Sequence, residues 1–232
     1  MICLKCNVKL EVACRVDLVL FDLDGTLIDS APDLAGATQD MLVELGLPMV
    51  SHERLRAMVG SGARGMIGVA FDLRPGEPGF AELREEFLFR YRQRLLQCTQ
   101  VFPDVVPVLN ELDRRQIPWG IVTNKALDMA EPITKGLGLS GRCQVLIGGD
   151  STPFTKPHPA PLLEAARRSN TAPLRCAYVG DDVRDMRAGR AAGMATLAAS
   201  WGYLGMAEPV DEWGASSVLK APKDLLNWLE LP

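Results

Sequence analysis

Two carboxylates and a glycine follow the first apolar run of the chain. This run, residues 16–21, leads into Asp22-Leu23-Asp24-Gly25-Thr26. Side chains two residues apart on an extended chain point to the same side, so we expect the Asp22 and Asp24 carboxylates to lie close together. Like charges that close need protons or a cation, and Mg²⁺ prefers oxygen ligands of this kind. The segment is also typical of an ordinary turn or helix N-cap, so by itself it leaves both interpretations open.

Three later apolar runs also end in polar residues. Residues 119–122 lead into Thr123-Asn124, residues 144–147 lead through a glycine turn towards Lys156, and residues 176–179 lead into Gly180-Asp181-Asp182. Ligands of open α/β sheets bind at the carboxyl ends of strands. We therefore expect one crevice to hold the side chains of Asp22, Asp24, Thr123, Lys156 and Asp181. Taken singly, Thr123 and Asp182 are also typical of helix N-caps, and Lys156 of a solvated loop.

The two leading carboxylates suit phosphoryl transfer. A phosphate monoester repels a bare carboxylate, so Mg²⁺ has to neutralise and orient both groups. Asp22 is then the expected nucleophile, which forms an aspartyl-phosphate and divides hydrolysis into two steps. Asp24 is the expected general acid and base, a contribution typically worth about 10²–10⁴ in rate.

The other strand ends supply what such a reaction also needs. Lys156 offers a compact positive charge, while Thr123 and Asn124 offer hydrogen bonds to phosphoryl oxygens. Asp181 is expected to complete the metal site. Asp185, four residues further on, is expected to orient Lys156 or a metal-bound water, and Asp182 to support the site from beside it.

Strand-like and helix-like segments alternate through most of the chain. The apolar runs are residues 16–21, 117–122, 144–147, 175–179 and 195–198, and the helical segments are residues 104–115, 126–137, 159–169 and 183–192. Strands alternating with helices indicate an α/β fold with a doubly wound, Rossmann-like parallel sheet.

Residues 31–98 interrupt this alternation with helical patterns and no convincing strand. Ser30 and Pro32 favour a helix that Gly46 ends, and Ser51 favours the start of another. One face of a later segment is apolar and predicts a helix of roughly five turns: Phe80, Leu83, Phe87, Leu88, Tyr91 and Leu95. We expect residues 31–98 to form an all-helical cap domain inserted in a core of residues 1–30 and 99–232. Its hinges are expected near residues 29–31 and 98–103, and residues 1–14 are expected to be a ragged extension.

Four ordered motifs carry a resemblance to a known family. Asp22-x-Asp24-Gly25-Thr26, Thr123-Asn124, Lys156-Pro157 and Gly180-Asp181-Asp182-x-x-Asp185 resemble those of the haloacid dehalogenase superfamily. The resemblance, which covers nearly the whole chain, implies that Asp22 and Asp181 bind Mg²⁺ through their side chains and Asp24 through its backbone carbonyl. Asp24 also separates the chain from the dehalogenases, which lack an acid there.

The sequences of several segments are similar to those of one branch of that family. The position of the helical insertion resembles the phosphoglycolate phosphatase-like branch, and four segments look like the bacterial phosphoglycolate phosphatases: 122–125, 147–150, 156–159 and 202–203. The implied activity is hydrolysis of a small phosphate monoester, most of all 2-phosphoglycolate. Arg184 and the segment Trp213-Gly214-Ala215 resemble the N-acetylmuramic acid 6-phosphate phosphatases instead, so that sugar phosphate is the alternative substrate.

Two other patterns point to different functions. Gly60-Ser61-Gly62-Ala63-Arg64-Gly65 matches a dinucleotide-binding fingerprint, but it follows a helical stretch instead of a strand. We expect it to be a cap loop facing the site, with Arg64 available for a substrate carboxylate or simply exposed on a helical turn. A phospho-acceptor signalling domain would use a similar acidic cluster, but the insertion and Asp24 favour turnover.

The composition excludes several broad classes. The 232 residues carry a net charge of −4 with scattered positive side chains, which argues against a nucleic-acid partner. Cys3-x-x-Cys6 has no second pair or histidine at zinc spacing, so free thiols in a reducing cytoplasm are expected. No stretch of about 18 apolar residues occurs, which argues against a membrane span. The expected partner is a small-molecule phosphate monoester, and the sequence does not indicate an oligomeric state.

Overall fold

A parallel sheet forms the centre of the protein. The computed structural model describes residues 16–205 and 208–231, so the predicted extension at residues 1–14 lies outside the described residues. Within them the main sheet has six parallel strands in the order β5-β4-β1-β6-β7-β8, and a separate antiparallel pair joins β2 to β3. The strands are Leu18–Phe21 (β1), Ile28–Asp29 (β2), Gln100–Val101 (β3), Trp119–Val122 (β4), Leu146–Ile147 (β5), Cys176–Gly180 (β6), Ala195–Ala199 (β7) and Ser217–Leu219 (β8).

Helices cover both faces of this sheet. Val19 and Phe21 of β1 pack in one apolar cluster with residues of α5 (Val105–Arg114) and α6 (Leu127–Gly136). Leu18 and Leu20 point the other way and pack with residues of α7 (Ala160–Arg168) and α8 (Val183–Ala191). Because β1 is buried on both faces, its sequence is continuously apolar instead of alternating. The predicted doubly wound fold is confirmed.

All the regular elements of the interruption at residues 31–98 are helices. It contains α1 (Ala31–Glu44), α2 (His52–Arg56), a 3₁₀ helix (Val59–Ser61), α3 (Gly62–Phe71) and α4 (Phe80–Arg92). These helices share an apolar cluster of their own that includes Leu34, Leu55, Ile67 and Phe87. The β2–β3 pair closes the base of the insertion, since Ile28 pairs with Val101. The limits of the two domains stay a prediction.

Some predicted bounds were wrong, and some elements were missed. Helix α4 has 13 residues and not five turns, because i−3 hydrogen bonds from Gln93 and Arg94 turn the chain after Arg92. Leu95 lies beyond the helix but still packs against both clusters. The short strands β2, β3 and β8, and helix α9 (Asp224–Trp228), had no clear pattern in the sequence. No helix in the described ranges is long and apolar enough to cross a membrane.

Candidate active site

The carboxyl ends of four adjacent strands line one cavity. Strands β5, β4, β1 and β6 are neighbours, so the residues that follow them meet at one edge of the sheet. The cavity has a volume of about 370 Å³ and is lined by all nine predicted site residues: Asp22, Asp24, Arg64, Thr123, Asn124, Lys156, Asp181, Asp182 and Asp185. A larger cavity of about 580 Å³ lies beside residues 115–118, at the opposite ends of β1 and β4. We place the site in the smaller one because it holds the clustered carboxylates.

Three carboxylates cluster at the floor of this cavity. One oxygen from each of Asp22, Asp181 and Asp185 lies within 4.8 Å of the others. Asp181 and Asp185 are only 2% and 1% exposed. Burial is the main cause that raises the pKa of Asp22 to about 7, and burial together with the other two carboxylates raises the pKa of Asp181 well above its ordinary value. A neutralising cation therefore has a strong electrostatic reason to bind here.

One buried lysine partly balances these charges. Lys156 Nζ lies 2.9 Å from Asp22 Oδ1 and 2.8 Å from Asp185 Oδ1. It also donates to Val122 O at 3.0 Å and to Tyr178 Oη at 2.7 Å. A single ammonium against three carboxylates leaves an excess of negative charge. The remaining donors are oxygens only, which fits a hard divalent cation such as Mg²⁺ and does not fit a thiolate- or imidazole-preferring metal.

Asp24 is not part of the carboxylate cluster. Its Oδ1 accepts from Ser30 Oγ at 2.5 Å and from Lys125 Nζ at 2.8 Å. Asp22 and Asp24 both line the cavity, but the chain turns after β1 ends at Phe21, and only Asp22 contributes an oxygen to the cluster. Gly25 allows that turn with a φ of 84°, and a Cβ there would lie 2.1 Å from Asp181 Oδ2. Metal binding through the Asp24 backbone carbonyl stays a prediction.

Asp185 is the third member of the cluster and lies beside Lys156, one of the groups that we expected it to orient. Its Oδ1 pairs with Lys156, and its Oδ2 accepts from the backbone N–H of Asp182 at 3.1 Å. Asp182 is the N-cap of α8 and its carboxylate also binds the Arg184 guanidinium, with Oδ1 2.7 Å from Nε. The N-cap interpretation of Asp182 is thus correct, and it supports the site by holding the start of α8.

The residues after β4 hold the lysine segment in place. Asn124 Oδ1 accepts from Lys156 N at 2.9 Å, and Asn124 Nδ2 donates to Lys156 O at 3.0 Å. Thr123 is 3% exposed, and its Oγ1 accepts from Lys125 N at 3.1 Å. The N-cap alternative for Thr123 was wrong, because α6 begins only at Leu127, after Ala126. The predicted hydrogen bonds from Thr123 and Asn124 to a phosphoryl group stay predictions.

Arg64 lies on the insertion side of the cavity. The expected cap loop was wrong, since this segment forms the 3₁₀ helix and the first turn of α3. Helix α2, and not a strand, comes directly before it, so the argument against a dinucleotide fingerprint stands. The Arg64 side chain is exposed and lines the cavity, and among the described residues it has no ion pair. Its guanidinium is therefore available to an anionic group inside the cavity.

Four residues of the site were missed from the sequence. Lys125 donates to the Asp24 carboxylate and also contacts Tyr91. Tyr178 accepts a hydrogen bond from Lys156, which pairs with the carboxylates of the cluster. The Arg184 guanidinium donates to the carbonyl of Gly60 in the insertion. Tyr91 and Tyr178 lie within apolar runs and were assigned to the core. Lys125 directly follows the Thr123-Asn124 motif and Arg184 lies within the last motif, and these positions were the available signals.

Comparison with known proteins agrees with this geometry. A family model described as haloacid dehalogenase-like hydrolase matches residues 19–199. The chain is 47% identical over 208 residues to a protein named phosphoglycolate phosphatase from Xanthomonas campestris pv. campestris strain 8004, covering 89% of this chain and 93% of that protein. It is 40% identical over 211 residues to a protein named N-acetylmuramic acid 6-phosphate phosphatase from Pseudomonas putida KT2440, covering 91% and 95%.

Solved structures show the same architecture. The crystal structure of a predicted phosphoglycolate phosphatase from Haemophilus somnus 129PT matches with a TM-score of 0.81 at 28% identity, covering 92% of this chain and 98% of that chain. All four sequence motifs and the carboxylate cluster lie inside the matched residues 19–199. Both named relatives are phosphoric monoester hydrolases, the enzyme class predicted from the motifs. The chain belongs to the haloacid dehalogenase-like hydrolase family.

Proposed function

We propose that this protein is a Mg²⁺-dependent phosphatase that hydrolyses small phosphate monoesters. The observation that carries the proposal is the position of Asp22, which directly follows β1 and lies in a cluster with two buried carboxylates beside a buried lysine. Asp22 Oδ1 accepts from Lys156 Nζ at 2.9 Å and from Leu23 N at 2.7 Å. These two contacts fix the carboxylate and leave Oδ2 without a hydrogen bond to any described residue, ready to attack phosphorus.

The reaction divides into two balanced steps. Asp22 forms a bond to phosphorus while the ester P–O bond breaks, and Asp24 gives a proton to the leaving alkoxide oxygen. Water then attacks phosphorus, Asp24 takes the proton from that water, and the bond to Asp22 breaks to release inorganic phosphate. Lys156 stabilises the charge on the phosphoryl oxygens throughout. Asp22 and Asp181 would hold Mg²⁺, which when bound neutralises the anionic substrate and carboxylates.

We further propose that residues 31–98 act as the cap over this site, between a core of residues 1–30 and 99–232. The cavity supports this proposal because its floor comes from the strand ends and its roof from the insertion, including Leu34, Val59 and Phe87. A roof of this kind excludes water and selects the leaving group. A cytoplasmic location and the absence of nucleic-acid or membrane partners stay predictions.

For the substrate we propose 2-phosphoglycolate. The 47% identical relative carries that activity in its name, and Arg64, which has no ion pair within residues 16–205 and 208–231, offers a bidentate partner for a carboxylate. N-acetylmuramic acid 6-phosphate is the second candidate. It is favoured by the 40% identical relative and by the volume of about 370 Å³ under a partly apolar roof, which exceeds what a short acid phosphate fills.

The test is phosphate release with and without Mg²⁺ from three esters: 2-phosphoglycolate, N-acetylmuramic acid 6-phosphate and an uncharged aryl phosphate. We expect Mg²⁺-dependent release, abolished by chelator and highest in kcat/KM for 2-phosphoglycolate. Absence of any Mg²⁺-dependent release would overturn the function. A kcat/KM for the sugar phosphate about tenfold above that for 2-phosphoglycolate would overturn only the substrate.

A further inference from the structure

Lys125 joins the core to the insertion at the carboxylate of Asp24. It belongs to the segment after β4, and its side chain is only 7% exposed. Its Nζ lies 2.8 Å from Asp24 Oδ1 and 2.5 Å from Tyr91 Oη. The same ammonium sits over the Tyr91 ring, 4.6 Å from the ring centroid. Tyr91 lies on α4 of the insertion, so three elements that are distant in sequence meet at one cation.

The Lys125 side chain bridges two groups from different parts of the chain. Its Nζ pairs with the Asp24 carboxylate, donates to the Tyr91 hydroxyl and lies over the Tyr91 ring. Burial raises the pKa of Tyr91 to about 12, which disfavours the phenolate. The contact is an ammonium bridge from Asp24 to a hydroxyl and a ring face on α4.

The bridge also decides which oxygen of Asp24 can react. Lys125 and Ser30 both contact Oδ1, and Oδ2 has no hydrogen bond to any described residue. Holding Oδ1 from both sides leaves Oδ2 for the leaving-group oxygen or for water. An acid and base is efficient only within hydrogen-bond reach of the proton it transfers, so a small rotation of this carboxylate slows both steps.

We propose that Lys125 is a positioning residue that couples helix α4 to the general acid–base Asp24, so that Asp24 is correctly aimed only when Tyr91 is in place. The inference rests on the proposed function, because it assumes that Asp24 transfers the proton. When α4 moves away from the core, Lys125 loses the hydroxyl and the ring of Tyr91, and its ammonium turns towards water. Asp24 then loses one of the two contacts that orient it, which prevents proton transfer before the site is covered.

The test compares esters that differ in their need for an acid. Kinetics are measured in Mg²⁺ for Lys125→Met, Lys125→Arg, Tyr91→Phe and Asp24→Asn with an alkyl phosphate and with an activated aryl phosphate. We expect Lys125→Met to lower kcat for the alkyl ester by about tenfold or more, and for the aryl ester much less, because a good leaving group needs little protonation. Lys125→Arg should recover part of the lost kcat. Tyr91→Phe should also lower kcat more for the alkyl ester than for the aryl ester, but by a smaller factor. Lys135→Met, an exposed lysine on α6, is the matched control.

A double variant that combines Lys125→Met with Asp24→Asn shows whether Lys125 acts through Asp24. If Lys125 acts through Asp24, Lys125→Met should change the alkyl rate little once Asp24→Asn is present, since the two losses are not additive. The inference would be overturned, and the proposed function left intact, by the following result: Lys125→Met and Tyr91→Phe lower kcat equally for both esters, whereas Asp24→Asn lowers it clearly more for the alkyl ester. An absence of bias in Asp24→Asn itself would overturn both the assigned role of Asp24 and the inference. Tyr91→Phe removes only a hydroxyl, so it decides the matter if Lys125→Met does not fold.

Discussion

The floor of the active site and its junction with the insertion are built in different ways. On the floor, Asp22, Lys156 and Asp185 are linked by ion pairs within the α/β core, and Lys156 and Asp185 are almost fully buried. At the junction, separate polar contacts link the core to the insertion: Lys125 with Tyr91, Arg184 with the Gly60 carbonyl, Asp128 with Arg92, Thr99 with Asp33, and Asp29 with the half-exposed Arg56.

From this difference we infer that the floor residues carry out the chemistry and that the junction contacts control access to the site. A network that lies wholly inside one rigid unit keeps its geometry whether or not substrate is present, and such preorganisation is a large part of electrostatic catalysis. A few contacts shared between two units can break and form again as the insertion moves. Floor variants should therefore change turnover or stability for every substrate, while junction and roof variants should change some substrates more than others.

The largest effect is expected at the floor, from Asp22→Asn. The amide has nearly the same shape but is a poor nucleophile, so we expect loss of essentially all Mg²⁺-dependent turnover of every ester while the fold survives. Phosphate release measures the turnover, and circular dichroism shows whether the fold survives. The exposed acid Asp211 provides a control, as Asp211→Asn should keep full activity. Substantial turnover by a folded Asp22→Asn protein would exclude Asp22 as the nucleophile.

A second floor variant, Lys156→Met, should reduce stability as well as activity. It leaves Asp22 and Asp185 buried without their cation, and loss of one partner from a buried pair typically costs about 3–5 kcal/mol. Urea unfolding in excess chelator measures that free energy, with Lys135→Met as the exposed control. If the free energy of unfolding falls by less than about 1 kcal/mol, the ion pairs of the floor contribute far less to stability than their distances and burial indicate.

The roof predicts a selective effect. Arg64→Ala should lower kcat/KM for 2-phosphoglycolate by about one to two decades, because one charge-assisted contact is worth about 1.5–3 kcal/mol. An uncharged aryl phosphate should be hydrolysed almost as well as before. Arg74→Ala, an exposed arginine of the same insertion, should change neither. Equal losses for both esters would mean that Arg64 supports the roof and does not recognise a carboxylate.

The sequence predicted the floor far better than the junction. Strands such as β1 and β6 are apolar on both faces, so their runs are plain, and the polar residues after them could be assigned to one edge of the sheet. The position of Asp185 beside Lys156 was among the expectations, whereas the separation of the Asp24 carboxylate from the cluster was not, because the period of two ends with β1 at Phe21. The Lys125–Tyr91 contact spans 34 residues and crosses the insertion, and no local pattern encodes such a meeting.

The smallest predicted effect concerns Asp181, and its sign depends on the metal. Asp181 is 2% exposed; its Oδ1 accepts from Thr26 Oγ1 at 2.8 Å and its Oδ2 from Tyr203 N at 2.6 Å. An asparagine can keep both contacts, because its oxygen accepts from Tyr203 N and its amide donates to Thr26 Oγ1. Burial and the neighbouring carboxylates raise the pKa of Asp181, which costs stability near neutral pH, and Asp181→Asn removes that cost; in chelator we therefore expect unfolding to require about 1 kcal/mol more than in the original protein.

Mg²⁺ should reverse that order. A cation that binds only the folded state stabilises it by about 2.7 kcal/mol at a concentration a hundredfold above its Kd. The original protein should gain this stability, whereas Asp181→Asn, with a weakened ligand set, should gain little. Thermal unfolding curves of the two proteins should therefore cross as Mg²⁺ is added. If Asp181→Asn is less stable in chelator and both proteins respond equally to Mg²⁺, the buried carboxylates are held by hydrogen bonds alone and the floor is not built for a metal.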